Sequence, residues 1–93
     1  MLLKGKTAVI SGGAGRRGIG FATAKLFVEH GARVAILDID SKAASEAAAD
    51  LGEGHVGIAC DVTDAKACKT AADEVISAFG HVDILLNNAG ITQ

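Results

Sequence analysis

The chain has 93 residues, the size of one small domain, of which 49% are hydrophobic and 22% charged. This composition excludes a disordered tail, and a formal net charge of −2 argues against a nucleic-acid surface or an anionic membrane as partner. No apolar run is long enough for a signal peptide or a membrane span. Cys60 and Cys68 match neither a CxxC pair nor a zinc spacing, so we expect reduced thiols, no metal site and a cytoplasmic location.

Strand and helix patterns alternate along the chain. Short, nearly continuous hydrophobic runs are typical of parallel strands buried on both faces, and they predict strands at 7–11, 33–38, 56–60 and 82–86. Between them, hydrophobic residues recur at helical spacing. The first helix is predicted at 19–30, with Gly31 just beyond its end. The second follows a cap at Asp40 or Ser41 and ends at Leu51, and the third follows a cap at Thr63 or Asp64 and ends at Gly80.

The order β-α-β-α-β-α-β predicts a doubly wound parallel α/β sheet. Parallel strands need crossovers of about a dozen residues or more, and each connection here is long enough. Residues 1–93 would form one domain, the first half of such a sheet. The chain contains no Tyr, Trp or Pro, and we therefore expect it to be truncated, with the second half of the fold beyond Gln93.

A glycine-rich loop at 11–20 joins the first strand to the first helix. Glycines allow close approach of the backbone, and the N–H groups and dipole at a helix N-terminus attract a pyrophosphate. Two glycine registers fit, Gly13-x-Gly15-x-x-Gly18 and Gly12 with Gly18-Ile19-Gly20. A tight turn is the alternative, but the strand–loop–helix context favours a Rossmann-type dinucleotide site.

Asp38 closes the second strand, 20 residues after Gly18. A carboxylate at this distance can accept hydrogen bonds from both hydroxyls of the adenosine ribose, and it repels a 2′-phosphate. Arg16 and Arg17 favour NADP, which carries that 2′-phosphate, because a guanidinium binds phosphate well. The alternative is that both arginines only solvate the loop or touch the pyrophosphate. We give more weight to Asp38, with Ile39 beside it, and expect NAD as the cofactor, with NADP less favoured.

Polar residues also follow the third and fourth strands. Asp61 could hold the exocyclic amine of adenine and Val62 its ring face, although a turn with a helix cap explains this segment equally well. The fourth strand ends in Asn87-Asn88-Ala89-Gly90. Two amides can tie neighbouring strand ends together, and the small pair that follows them leaves room for a ribose at the switch point of the sheet.

Together these motifs resemble the short-chain dehydrogenase/reductase family over essentially the whole chain. The family pattern has three residues between its first two glycines, whereas five separate Gly12 from Gly18 here. The resemblance implies that Asn88, Ala89 and Gly90 line the ribose and nicotinamide side of the cofactor. It also associates a basic residue at the position of Arg17 with NADP. The tail at 90–93 resembles 3-oxoacyl-thioester reductases.

The resemblance implies hydride transfer between nicotinamide and an alcohol or ketone, with a catalytic Tyr, Lys and Ser, in a full-length enzyme that forms homo-oligomers. No residue of this chain fills those roles, because Tyr is absent and none of its serines lies at the matching position. His30, His55 and His81 are expected to be solvated or capping residues.

Alternatives remain open at this stage. They are a non-catalytic nucleotide-binding module, an inactive truncated product, and a methyltransferase domain, which also has a glycine loop and an acid after its second strand. The motif at 87–90 counts against the methyltransferase. The predicted cofactor-binding residues are Gly12, Gly15, Arg17, Gly18, Ile19, Gly20, Asp38, Ile39, Asp61, Val62, Asn88, Ala89 and Gly90.

Overall fold

The computed structural model describes residues 2–12 and 18–87. Within these ranges the predicted alternation of strands and helices is confirmed. The strands are β1 (Thr7–Ser11), β2 (Arg33–Asp38), β3 (Val56–Ala59) and β4 (Ile84–Asn87). The helices are α1 (Ile19–Glu29), α2 (Ser41–Leu51) and α3 (Ala65–Phe79).

The four strands form one parallel sheet in the order β3-β2-β1-β4. After β3 the chain therefore returns across β2 and β1 before it adds β4 on the far side. Ser11 at the end of β1 pairs with Leu37 on one side and with Asn87 on the other. The strand order reverses at β1, and this is the switch point at which open α/β sheets bind their ligands. The doubly wound α/β prediction is confirmed for this half of the fold.

The hydrophobic core has two layers because successive strand residues point to opposite faces of the sheet. Ile10 and Ile36 face α1 and α2, where they pack with the small alanines of α2. Val9 and Leu37 face α3 and pack with Val75. Both faces of the central strands β1 and β2 are thus buried, as their continuous hydrophobic runs predicted.

The helix ends follow from local chemistry. Asp40 caps α2 by accepting a hydrogen bond from the backbone N–H of Ala43 at 3.1 Å. Asp64 caps α3 by accepting from the N–H groups of Lys66 at 2.9 Å and Ala67 at 3.3 Å. Of the candidate caps, the aspartates therefore fill the N-cap positions. Gly80 ends α3 in the left-handed conformation, with φ of 89°, which a glycine adopts without a steric penalty.

Two strand boundaries differ from the sequence prediction. β4 begins at Ile84 rather than at residue 82, because Asp83 makes a different pairing with Thr7. The Asp83 carboxylate accepts the Thr7 N–H at 2.9 Å, while the Asp83 N–H donates to the Thr7 carbonyl at 2.9 Å. A side chain thus takes the place of a backbone acceptor at the start of the ladder. β3 ends at Ala59, although the Cys60 N–H still donates to the Asp38 carbonyl at 2.8 Å.

α2 lies very close to β3 at Gly57. A methyl group added at Gly57 would overlap the backbone carbonyl of Ala44. Ala44 and Ala47 of α2 are fully buried in this contact layer. The distance between α2 and β3 is therefore set by small side chains on the helix and by the absence of a side chain at Gly57. Across the described ranges, the helices are too short or too polar to cross a membrane.

Candidate functional site

The carboxyl ends of the strands bring the polar residues of the sequence motifs to one edge of the sheet. Ser11 ends β1, Asp38 ends β2 and Asn87 ends β4, while Asp61 follows β3 by two residues. Because all four strands are parallel, these ends lie on the same side. The interiors of the four strands are hydrophobic, so this edge is where the sheet presents side chains that can bind a polar ligand.

The described ends of the glycine loop lie at the carboxyl end of β1 and at the N-terminus of α1. Gly12 leaves β1 with φ of 71°, a conformation that favours glycine, and its N–H donates to the Leu37 carbonyl at 2.7 Å. Gly18 is the N-cap of α1, and within the described residues no side chain makes a capping hydrogen bond there. Gly20 is buried, consistent with close packing of α1 on the sheet. The predicted contacts Gly15 and Arg17 lie outside the described residues, as does the side chain of Ile19.

Asp38 is half-buried at the end of β2, next to the point where the chain leaves β1. Its Oδ1 accepts a hydrogen bond from the N–H of Asp40 at 3.0 Å. This bond fixes the carboxylate at the strand end while using one of its two oxygens. The neighbouring Ile39 is 73% exposed, so a large hydrophobic side chain stands in solvent beside the carboxylate. An aromatic ring could pack against it without any rearrangement of the core.

The segment after β3 is held by a local network around Asp61. Its Oδ1 accepts from the hydroxyl of Thr63 at 2.6 Å and from the Thr63 N–H at 2.9 Å. These two bonds, the hydroxyl one first, hold the pKa of Asp61 below its ordinary value, so the carboxylate stays charged. Val62 is exposed between these residues. The turn interpretation of this segment is therefore correct, and a contact with adenine remains a prediction.

Ser11 and Asn87 join the two strands at the switch point. The Ser11 hydroxyl donates to Oδ1 of Asn87 at 2.9 Å, and Ser11 itself is buried. The expectation that an amide ties strand ends together is met by Asn87. Sequence reasoning did not select Ser11 as a site residue, although a polar residue at the end of each of two apolar strands was an available signal. Asn88, Ala89 and Gly90 lie outside the described residues.

An apolar cavity of about 450 Å³ adjoins the switch point on the α3 face of the sheet. Val75 and Ile76 of α3 form one wall, and Val9 and Leu85 of the sheet form the other. The cavity reaches the carboxyl edge at Ser11, Asn87 and Val62. Leu85 is 71% exposed because nothing in the described part of the chain covers β4 on this side.

His55 and His81 lie away from this edge, and the ring nitrogens of both contact backbone groups. Nδ1 of His55 accepts a hydrogen bond from the Val34 N–H at 3.1 Å, at the amino end of β2. Burial, and secondly the charge of Arg33, lower the pKa of His55. Nε2 of His81 lies 2.9 Å from the Asp83 carboxylate and 3.1 Å from the Gly5 carbonyl. His55 and His81 are thus structural rather than merely solvated, and the described residues contain no His, Cys, Asp and Glu cluster suited to a metal ion.

Comparison with known proteins adds independent information about this site. A family model described as enoyl-(acyl carrier protein) reductase matches residues 12–93. An uncharacterized short-chain type dehydrogenase/reductase from Sinorhizobium fredii is 63% identical, over 100% of this chain and 38% of its own length. D-threitol dehydrogenase from Mycolicibacterium smegmatis is 44% identical, over 98% of this chain and 35% of its own length.

The fold has a close structural counterpart as well. The crystal structure of 3-ketoacyl-(acyl-carrier-protein) reductase from Brucella melitensis, complexed with NADH, superposes with a TM-score of 0.84 at 36% identity. The match covers 89% of this chain and 34% of that one. The chain belongs to the short-chain dehydrogenase/reductase family. It spans about a third of the length of the relatives it matches.

Proposed function

We propose that this chain is the NAD-binding part of an oxidoreductase of the short-chain dehydrogenase/reductase type. The observation that carries the proposal is the position of Asp38, whose carboxylate is fixed at the end of β2 beside the turn that leaves β1 at Gly12. A dinucleotide laid across this edge would meet a helix N-terminus and a carboxylate in the order that pyrophosphate and adenosine ribose require. The membership of the family supports the same conclusion.

The residues divide among the parts of the nucleotide. The pyrophosphate would lie at the N-terminus of α1, where the N-cap residue Gly18 brings no side chain of its own. The adenosine ribose would donate to Asp38, and adenine would lie between Ile39 and the segment of Asp61 and Val62. The remaining proposed contacts, on the loop and at the end of β4, are Gly12, Gly15, Arg17, Ile19, Gly20, Asn88, Ala89 and Gly90.

We favour NAD over NADP because of the charge on Asp38. A 2′-phosphate on the adenosine ribose would sit against that carboxylate, and two like charges 4 Å apart near a protein surface repel by roughly 4 kcal/mol before solvent screening. The NADH complex of the Brucella reductase supports this choice by similarity. Arg17 is the residue that would oppose it, since a guanidinium could neutralise the phosphate.

The bound nicotinamide would supply the hydride acceptor or donor, and this chain would orient it. Asp38 and the glycine loop would anchor the adenosine half, and the Ser11–Asn87 pair would hold β4 in register so that Asn88 reaches the nicotinamide side. The acid–base tyrosine that the family resemblance implies is not among these 93 residues, which include no tyrosine. Proton transfer to the substrate oxygen is therefore assigned to no residue of this chain.

For the whole protein we propose alcohols or ketones as substrates. The relatives include a D-threitol dehydrogenase and, among solved structures, a 3-ketoacyl-(acyl-carrier-protein) reductase. The substrates in these two names carry an alcohol that can be oxidised or a ketone that can be reduced. We further propose a cytoplasmic homo-oligomer. The free thiols of Cys60 and Cys68 support a reducing compartment. The net charge of −2 does not favour nucleic acid as a partner.

The first test is an intact-mass measurement of the purified protein, followed by a titration of its binding to NADH. Binding is followed by the nicotinamide fluorescence of NADH, which is excited at wavelengths that tyrosine and tryptophan do not absorb. We expect saturable binding that ADP-ribose displaces, and weaker binding of NADPH. Absence of binding to either nucleotide would overturn the proposal. Binding of S-adenosylmethionine alone would instead support a methyltransferase.

A further inference from the structure

The two cysteines of the chain belong to one hydrophobic cluster, although eight positions separate them in sequence. Cys60 directly follows β3, where its N–H donates to the Asp38 carbonyl at 2.8 Å. Cys68 lies one turn into α3, and its N–H donates to the Asp64 carbonyl at 3.0 Å. Both side chains belong to the hydrophobic cluster packed between the sheet and α3, and the Cys68 thiol contacts the carbonyl of Val62, two residues from Cys60. Neither is in a disulfide.

The two thiols differ in accessibility. Cys60 is 4% exposed, whereas Cys68 is half-buried and lines the apolar cavity beside the switch point. The Cys68 thiol also donates to the Val62 carbonyl at 3.5 Å. Burial, then the contact with Cys68 and the charges of Asp61 and Asp64, raise the pKa of Cys60. Of the pair, Cys68 is therefore the thiol that a small oxidant reaches first, and Cys60 is the thiol that would react second.

We propose that Cys60 and Cys68 form a modification site at which hydrogen peroxide produces an intramolecular disulfide. The Cys68 thiolate attacks one peroxide oxygen, so that an S–O bond forms, the O–O bond breaks, and the departing hydroxide takes a proton to become water. The Cys60 thiol then loses its proton, and its sulfur attacks the sulfenic sulfur of Cys68. The S–S bond forms as the S–O bond breaks, and a second water leaves. Two thiols are oxidised and one peroxide is reduced.

The position of this pair gives the modification a structural consequence. The sulfurs would come to about 2.05 Å from each other, and Cys68 would no longer donate to the Val62 carbonyl. The disulfide would tie both ends of the segment that carries Asp61 and Val62. Since the loop it closes is short, the geometry favours cross-linking within one chain over cross-linking between chains.

Peptide mapping tests this directly, because Lys66 lies between the two cysteines. Reduced protein is treated with a small molar excess of hydrogen peroxide, the remaining thiols are blocked with iodoacetamide, and the protein is digested with trypsin. Cleavage after Lys66 separates the cysteines, so their peptides stay joined only through a disulfide. We expect this joined species, its loss on treatment with dithiothreitol, and a monomer on a non-reducing gel.

Matched variants assign the two thiols. In Cys60→Ser, and in Cys60→Ala as a second substitution at this buried position, we expect Cys68 to stop at the sulfenic acid, which dimedone traps. In Cys68→Ser we expect the peroxide-dependent loss of thiol to slow at least tenfold. Three outcomes would each overturn the proposal. The unaltered protein could be oxidised without joined peptides, disulfide-linked dimers could be the main product, or Cys68→Ser could be oxidised as fast as the unaltered protein.

Discussion

The hydroxyl of Ser11 donates a hydrogen bond to Oδ1 of Asn87 across 2.9 Å, and this bond joins two strand ends that are 76 residues apart in sequence. Ser11 is the last residue of β1 and lies directly before Gly12, where the glycine loop begins. Asn87 is the last residue of β4 and directly precedes Asn88. The bond therefore couples the start of the glycine loop to the strand end that is proposed to carry the nicotinamide side of the site.

Replacing Ser11 by alanine should remove this coupling. We expect Ser11→Ala to lower the free energy of unfolding by about 1 kcal/mol, the usual net value of one such hydrogen bond, and to weaken NADH binding several-fold. Urea unfolding and NADH titration measure the two effects. Ser77→Ala, at an exposed position of α3, is the matched control and should change neither. Equal behaviour of the two variants would show that the bond contributes nothing.

Removing the charge of Asp38 should change the choice of cofactor. We expect Asp38→Asn to raise the affinity for NADPH relative to NADH by about tenfold, a free-energy change of about 1.4 kcal/mol, because the repulsion of a 2′-phosphate is lost. Asp40→Asn is the matched control. It removes a charge two residues away, while an asparagine can still cap α2. If both variants shifted the NADPH to NADH ratio equally, the effect would be one of net charge and not of Asp38.

Adding one methyl group at Gly57 should be costly. In Gly57→Ala the new Cβ would overlap the Ala44 carbonyl, so α2 must move away from β3. We expect a loss of about 1–3 kcal/mol of unfolding free energy, the range found for overpacked cores. Ala59→Ser, at an exposed position of the same strand, should cost much less. A stability of Gly57→Ala equal to that of Ala59→Ser would contradict the close approach.

The elements and the helix caps could be predicted because each depends on local chemistry. An apolar run followed by glycine identified β1, and the aspartates at 40 and 64 were among the proposed caps that the structure confirms. The class of site also followed from the sequence, because Asp38 had to fall at the carboxyl end of a buried strand. The predictions that fall at 13–17 and 88–90 stay predictions.

Contacts between distant segments could not be predicted in this way. The sequence around Gly57 does not show that α2 packs against this residue, since the contact depends on the angle at which the helix packs on the sheet. The pairing of Asp83 with Thr7 was also missed, because the sequence prediction began the strand at residue 82 and so placed Asp83 inside it. A carboxylate at a strand start can replace a backbone carbonyl, and no periodicity signals that substitution. The role of His55 was hidden for the same reason.

The pH dependence of stability should carry a contribution from His55. Its pKa is lowered in the folded state relative to the ordinary value of 6.5, so the unfolded chain binds a proton more readily. The contribution of the neutral imidazole is therefore complete above pH 6.5 and is lost as the pH falls from there through the lowered pKa. Protonation of Nδ1 also removes the acceptor of the Val34 N–H. We expect the free energy of unfolding to decrease between pH 7 and pH 5.

Two variants isolate this contribution. In His55→Asn the amide oxygen can accept the same N–H without titrating, so the decrease between pH 7 and pH 5 should become smaller. In His30→Asn, at the C-terminal end of α1, His55 is intact and the decrease should remain. Unfolding curves in urea at several pH values measure both. An unchanged pH profile in His55→Asn would show that another group is responsible.

The strand order β3-β2-β1-β4 also has a consequence for the sequence of events during folding. Thr7 of β1 pairs with Arg33 of β2, so this ladder closes a short stretch of chain, whereas the ladder between β1 and β4 brings together residues 76 positions apart. Closing the longer loop costs about 1 kcal/mol more in chain entropy. We therefore expect β4 to join the sheet after β1, β2 and β3 have paired. The switch point would then be the last part of the described sheet to form, and the proposed nucleotide-binding edge would exist only once the other three described strands are in place.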